Sequence, residues 1–278
     1  MNKKTLTSER VKLEKHANEI RKQIITMAYV AKSAHTGGAL SCVEIMVALY
    51  FTIMKVFPRD ADNPLRDRLI FSKAHDAKVL YAVLAERGFF DKKILEGYEM
   101  NGGLLPGHST RHCMPGVEVS AGALGHGLSM AAGIAYVGKI DKKKFRVFTI
   151  LSDGECDEGS TWEAILFAGH HKLDNLITIV DYNKLQGFGF TKDILDLEPF
   201  VDKWKSFQWE VKEINGHSFE EIIKTLNHLP FKNGKPSVVI ANTIKGFGGP
   251  KVHINQISSQ YKPPTDEEIE EIFSEENS

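Results

Sequence analysis

The sequence predicts an α/β fold, a mainly parallel central sheet with helices on both faces, and three observations carry the prediction. The runs Val147-Phe148-Thr149-Ile150-Leu151 and Leu176-Ile177-Thr178-Ile179-Val180 are almost continuously apolar, as in strands covered on both sides. Over residues 145–241, strand-like and helix-like patterns alternate, the order that parallel strands joined by helical crossovers require. The chain has 278 residues, 42% hydrophobic and 26% charged, enough to enclose one large core. Residues 1–260 are accordingly read as one domain and 261–278 as an acidic C-terminal tail.

Along the chain, Leu13, Ile20, Ile24, Ile25, Met27 and Ala28 recur at helical spacing between charged positions and predict a helix over 8–33. Ala34-His35-Thr36-Gly37-Gly38 reads as a flexible break. Ser41 with Glu44 then reads as a capping box that opens a second helix, ending near Met54. Residues 68–72 form a strand, 74–86 a helix stopped near Gly88, and 91–100 another short helix. A loop rich in glycine and proline, 102–122, carries His108 and His112. Residues 124–137 make a helix of small side chains, suited to close packing against a neighbouring backbone or subunit. The pattern continues as strand 145–151, helix 159–171, strand 176–180, strand 209–214, helix 219–229 and strand 237–241. Pro263, Pro264 and the acidic run 266–276 read as solvated.

Composition removes several functions. Lys and Arg number 35 against 36 Asp and Glu, a net charge of −1 that offers no general attraction for nucleic acid or an anionic membrane. Cys42, Cys113 and Cys156 have no CxxC spacing, so neither a zinc cage nor a disulfide framework is expected, and a reducing, cytoplasmic setting fits. The first twenty residues are too charged for a signal peptide, and the longest apolar stretch, 45–54, falls short of a bilayer span.

Chemistry concentrates after two strands. Ser152-Asp153-Gly154-Glu155 follows strand 145–151, and Asp181-Tyr182-Asn183-Lys184-Leu185 follows strand 176–180. In a parallel sheet, ligands bind beyond the carboxyl ends of the strands, which puts Asp153 and Asn183 at one crevice. The Asp153 carboxylate, the Asn183 side-chain oxygen and the Leu185 main-chain carbonyl suit a hard cation, Mg²⁺ or Ca²⁺, that also grips a diphosphate. Either segment alone is an ordinary turn after a strand.

The pair resembles the Gly-Asp-Gly…Asn motif of thiamine-diphosphate enzymes, with Ser152 replacing the first glycine. Four further segments resemble, in the same order, the N-terminal, diphosphate-binding half of transketolases. They are Ser33-Ala34-His35-Thr36-Gly37-Gly38, Arg66-Asp67-Arg68-Leu69-Ile70-Phe71-Ser72-Lys73-Ala74-His75, Leu105-Pro106-Gly107-His108 and Gly122-Ala123-Leu124-Gly125-His126-Gly127. The resemblance covers nearly the whole chain and implies the thiamine-diphosphate-binding fold. It also implies thiamine diphosphate with Mg²⁺ or Ca²⁺ as cofactors, and transfer of a two-carbon ketol unit from a ketose or ketose phosphate to an aldose. By the same likeness His35 and His75 lie near the thiazolium and diphosphate, and His108 near the first hydroxyl of the donor. Gly122 and Leu124 would meet the aminopyrimidine, Gly154 would let phosphate approach the backbone, and Lys245 would touch the diphosphate. Glu158 would link two active sites at an interface. Imidazoles suit proton exchange with sugar hydroxyls near neutral pH.

Departures from the family pattern sharpen the expectation. The glutamate that activates the aminopyrimidine belongs to a pyrimidine-binding domain that this sequence lacks. A separate C-terminal subunit is therefore implied, with an α₂β₂ assembly and no activity in this chain alone. Gln260, within Ser259-Gln260-Tyr261, stands where the family often carries the histidine of a Trp-His-Gly. Ser109-Thr110-Arg111 follow His108 where a proline is common. Both changes border the donor pocket and imply a donor other than the ordinary pentose phosphates. Two other thiamine-diphosphate classes, deoxyxylulose-phosphate synthases and oxo-acid dehydrogenase α subunits, are opposed by the histidine loops. A dinucleotide-binding protein is opposed because the glycines of 122–127 follow a loop and read GxxGxG. A regulatory subunit that binds no cofactor is separated by its lack of metal-dependent thiamine diphosphate binding.

Overall fold

A computed structural model describes residues 3–274. Five parallel strands form one sheet in the order β1-β2-β3-β5-β4: β1 Arg68–Phe71, β2 Val147–Ser152, β3 Leu176–Tyr182, β4 Glu210–Asn215 and β5 Ser237–Asn242. The expected α/β architecture is therefore present. Register brings the strand ends level, with Ser152 opposite Asp181 and Tyr182 opposite Asn242, so the polar residues that follow emerge at one edge.

The two faces are covered separately. Leu69, Phe148, Ile150, Ile177 and Ile179 point to one core, packed by α1 (Lys3–Val30), α3 (Val43–Ala48), α4 (Ala77–Arg87) and α9 (Phe219–Leu226). The alternate residues Ile70, Val147, Leu151, Leu176 and Val180 meet α5 (Gly127–Ile140), α6 (Gly159–His170) and α8 (Phe200–Ser206). This alternation is the period-2 consequence of the pleat, and burial on both sides explains the unbroken apolar runs.

Several boundaries move for physical reasons. The first helix stops at Val30 because Lys32 turns left-handed (φ 51°) and Ser33 N–H donates to Ala28 C=O at 2.9 Å, closing a Schellman-type cap. The capping box at Ser41 and Glu44 is not formed. A helix, α2 (Thr36–Ser41), already starts at Thr36, and the Ser41 hydroxyl at its end lies within hydrogen-bond distance of both Gly38 C=O (2.9 Å) and Asp181 (2.5 Å). Glu44 instead meets Arg21 and His217. Nor is 34–38 a flexible break. A Cβ at Gly38 would collide with the Asp76 carboxylate and one at Gly37 with the Ser259 hydroxyl, so these glycines permit close approach. The short helix at 91–100 is a 3₁₀ helix, Lys92–Gly97. The helix of small residues begins at Gly127 rather than 124, after Gly125 takes φ +82°.

The acidic tail is not simply solvated. Helix α11 (Asp266–Ser274) docks on α1, with Tyr29 donating to Asp266 at 2.7 Å and Ile269 and Ile272 packed against the core. Residues 275–278, the end of that predicted tail, lie outside the described residues. Two further short helices, α7 (Thr191–Ile194) and α10 (Ser258–Tyr261), are too brief to show a periodic pattern in sequence.

Candidate active site

Beyond the carboxyl edge of the sheet lies a cleft of about 330 Å³. Its floor is made where β1, β2, β3 and β5 end, and its rim where α2 and α10 begin and end. The cleft gathers His35, His75, Gly122, Leu124, Asp153, Gly154, Asn183, Leu185 and Lys245, all singled out by the sequence. A second cavity adjoins it, sharing His35 and His75 and adding His108, Gly107, Tyr98 and Glu99. Glu158 is not among the lining. It is the exposed N-cap of α6, beside Gly125.

At the floor, Asp153 is 2% exposed, and its carboxylate accepts main-chain N–H from Gly154 (2.7 Å) and Lys184 (2.5 Å). Burial, and then the neighbouring Asp181 charge, push its pKa up to about 6. Asn183 Oδ1 accepts Leu185 N–H at 3.0 Å, and Leu185 C=O accepts from Lys245 Nζ at 3.0 Å. Burial lowers the Lys245 pKa. Among the described residues no three His, Cys, Asp or Glu side chains gather into a metal cage. The oxygens present are instead one carboxylate, one amide and one main-chain carbonyl. That donor set fits a hard cation sharing its shell with phosphate and water.

Beneath this lies a group of buried charges with no signal in the sequence pattern. Lys73, 1% exposed, reaches Asp181 (2.5 Å), Asp76 (3.2 Å) and Gly38 C=O (2.8 Å). Burial opposes the lysine charge, but Asp181 and the other anionic neighbours hold its pKa well above the ordinary value. Thr243 and Ser41 also donate to Asp181. Asp76 is fully buried; burial opposes its charge too, yet His75 and Lys73 hold its carboxyl far below the usual range. Its oxygens lie within ion-pair distance of Lys73 and of His75 Nε2 (3.3 Å) but receive no well-directed hydrogen bond.

Two more buried groups shape the rim. Glu155 accepts Gly125 N–H (2.9 Å) and the Ser72 hydroxyl, fastening the 122–127 loop to the end of β1. Lys78 donates to Ala34 C=O at 2.6 Å and to Ser33 at 3.3 Å, fixing the loop that presents His35, and burial lowers its pKa to about 8. Lys78 had a visible signal, a lone lysine inside the apolar run of α4. The pairing of Lys73 with Asp181 had none, because it joins residues 108 apart in the chain.

A family model described as "Transketolase, thiamine diphosphate binding domain" matches residues 13–275. The chain belongs to the transketolase family. Among its relatives is a 6-deoxy-6-sulfo-D-fructose transketolase subunit of a Clostridium species, 41% identical over 87% of this chain and 88% of that one. An apulose-4-phosphate transketolase subunit of Actinobacillus succinogenes is 47% identical over 85% of this chain and 86% of its own length. Solved transketolases from Leishmania mexicana and Campylobacter jejuni superpose with TM-scores of 0.88 at 29% and 30% identity. The match covers 95% of this chain but only 41% and 42% of theirs. This chain thus carries a transketolase's thiamine diphosphate binding domain and is close in length to relatives named as subunits. Its three cysteines are free, and among the described residues no helix is long and apolar enough to cross a membrane.

The transketolase histidines divide unequally. His35 and His75 meet edge to face, ring centroids 5.3 Å apart, whereas His108 is exposed on the wall of the adjoining cavity. Burial lowers the pKa of His35. Gln260 reaches His35 directly.

Proposed function

We propose that this chain is the thiamine-diphosphate-binding subunit of a two-chain, cytoplasmic transketolase, active only when a second subunit supplies the pyrimidine-binding domain. The observation that carries the reading is the convergence of Asp153, Asn183, Leu185 and Lys245 with His35 and His75 in one cleft. Support for a second chain comes from relatives of similar length whose names call them subunits. Those relatives are named for 6-deoxy-6-sulfo-D-fructose and apulose-4-phosphate. By extension, the donor here is a ketose ending in a phosphate or sulfonate, and the acceptor an aldose.

In this reading Asp153, Asn183 and the Leu185 carbonyl hold Mg²⁺ (or Ca²⁺). Thiamine diphosphate, when bound, supplies the carbon–carbon chemistry of ketol transfer. The chain's own residues do the rest. Lys245 offsets diphosphate charge, Gly154 gives phosphate access to the backbone, and Gly122 and Leu124 cover the ring system. His35, His75 and His108 bind the sugar hydroxyls and move their protons. Glu158, exposed beside Gly125, is free to face a neighbouring subunit. The outer surface of α5 and α6 leaves Val137, Ile140, Leu166 and Phe167 exposed, an apolar face suited to an α₂β₂ assembly.

The test is reconstitution with the pyrimidine-domain chain. Ketol transfer should require both chains, and calorimetry on the pair should show heat of thiamine diphosphate binding only with the divalent cation present. Turnover by this chain alone, or cofactor binding indifferent to the cation, contradicts the reading.

A further inference from the structure

His35 is also held from the far end of the chain, by Gln260. Its main-chain N–H donates to Gln260 C=O at 2.9 Å, and its ring Nδ1 lies 2.5 Å from Gln260 Nε2. The backbone at His35 is left-handed (φ 60°, ψ 38°), an unfavourable conformation for a residue with a Cβ that persists only where surroundings impose it. Gln260 is itself fixed on both flanks. Ser259 is buried against Gly37, and Tyr261 donates to Gly187 C=O at 2.9 Å.

With the Gln260 amide nitrogen facing the ring, Nδ1 accepts, and a neutral imidazole that accepts at Nδ1 carries its proton on Nε2. We propose that Gln260 is a positioning residue that sets the resting tautomer of His35, presenting Nε2–H as a hydrogen-bond donor to the sugar. Burial also lowers the His35 pKa, which disfavours the doubly protonated ring. The charged and titratable groups around it are Asp76, His75, Lys78 and His108, and Gln260 adds no charge of its own. The consequence for the sugar rests on the transketolase reading. The tautomer does not, since it is a property of this chain.

The experiment is nitrogen-15 NMR of histidine-labelled full-length chain, with the His35 resonances assigned by loss in His35→Asn. Wild type should show an unprotonated Nδ1 and a protonated Nε2. In Gln260→Glu the carboxylate cannot donate, so the proton should move to Nδ1, and the His35 titration midpoint should rise by about one pH unit or more. Gln260→Leu should leave both tautomers populated. A wild-type ring protonated at Nδ1, or a Gln260→Glu ring with the wild-type tautomer, overturns the assignment. If either variant fails to fold, the wild-type spectrum alone decides. Absence of ketol transfer by the reconstituted pair, with the tautomer as expected, would instead count against the transketolase reading.

Discussion

At the floor of the cleft, Lys73, Asp76, Asp153 and Asp181 are each at most 2% exposed and tied to strand ends or to one another. At its mouth, His108 is exposed on a loop, while His35 and His75 are half-buried on helix-flanking turns. Both regions are polar and both border the same cavity. The floor is part of the core, so losing one of its paired charges should cost stability. The mouth is more exposed, so exchanging its side chains should cost the fold less. The expectation is a partial separation of stability from chemistry along the depth of one cleft, with Asp153 serving both.

Four substitutions or titrations probe that separation, beginning at the deepest point. Lys73→Met leaves Asp181 and Asp76 without their buried partner and should destabilise the chain by about 3–5 kcal/mol, read from urea unfolding. A loss below about 1 kcal/mol would show that the floor is not a folding element. Asp153→Ala should weaken cation-dependent thiamine diphosphate binding on the order of 100-fold in the reconstituted pair, measured by calorimetry. Retained affinity would remove Asp153 from the cation site.

The pH dependence of Asp153 runs in two opposed directions. Its folded pKa, about 6, exceeds the ordinary 3.8, so proton uptake stabilises the cofactor-free chain, fully below the lower value, and that stability is lost as pH rises through the higher one. Cation affinity needs the carboxylate and should fall about tenfold for each pH unit below the folded pKa. A cation affinity flat from pH 7 to pH 5 would break the assignment. At the mouth, His108→Ala should lower kcat/KM for the ketose about tenfold, the worth of one strong hydrogen bond. Its unfolding free energy should stay within about 0.5 kcal/mol of wild type. A large stability loss there would erase the distinction between mouth and floor.

The same division governs what could be read from sequence. β2, β3 and β5 were legible because burial on both faces leaves an apolar run, and Asp153 and Asn183 because each follows such a run. Ser41 and Glu44 misled because a capping box and a pair of buried hydrogen-bonding side chains use the same residue types. Here Asp181, Arg21 and His217 claimed them. The helix at Asp266–Ser274 was hidden because, among the described residues, Ile269 and Ile272 mark its buried side between acidic neighbours. The bond between Gln260 and His35 spans 225 positions, and no local pattern encodes it.

The charge balance at the floor bears on the order in which ligands arrive. Three carboxylates, Asp76, Asp153 and Asp181, stand against two ammonium groups, Lys73 and Lys245, in or beneath the cleft. A bare diphosphate therefore meets a basin with one negative charge in excess, whereas a divalent cation reverses the sign. Anion and cation should each raise the other's affinity by the same factor, as thermodynamic reciprocity demands. Under the proposed function, the floor would therefore favour the diphosphate most when its counter-ion travels with it.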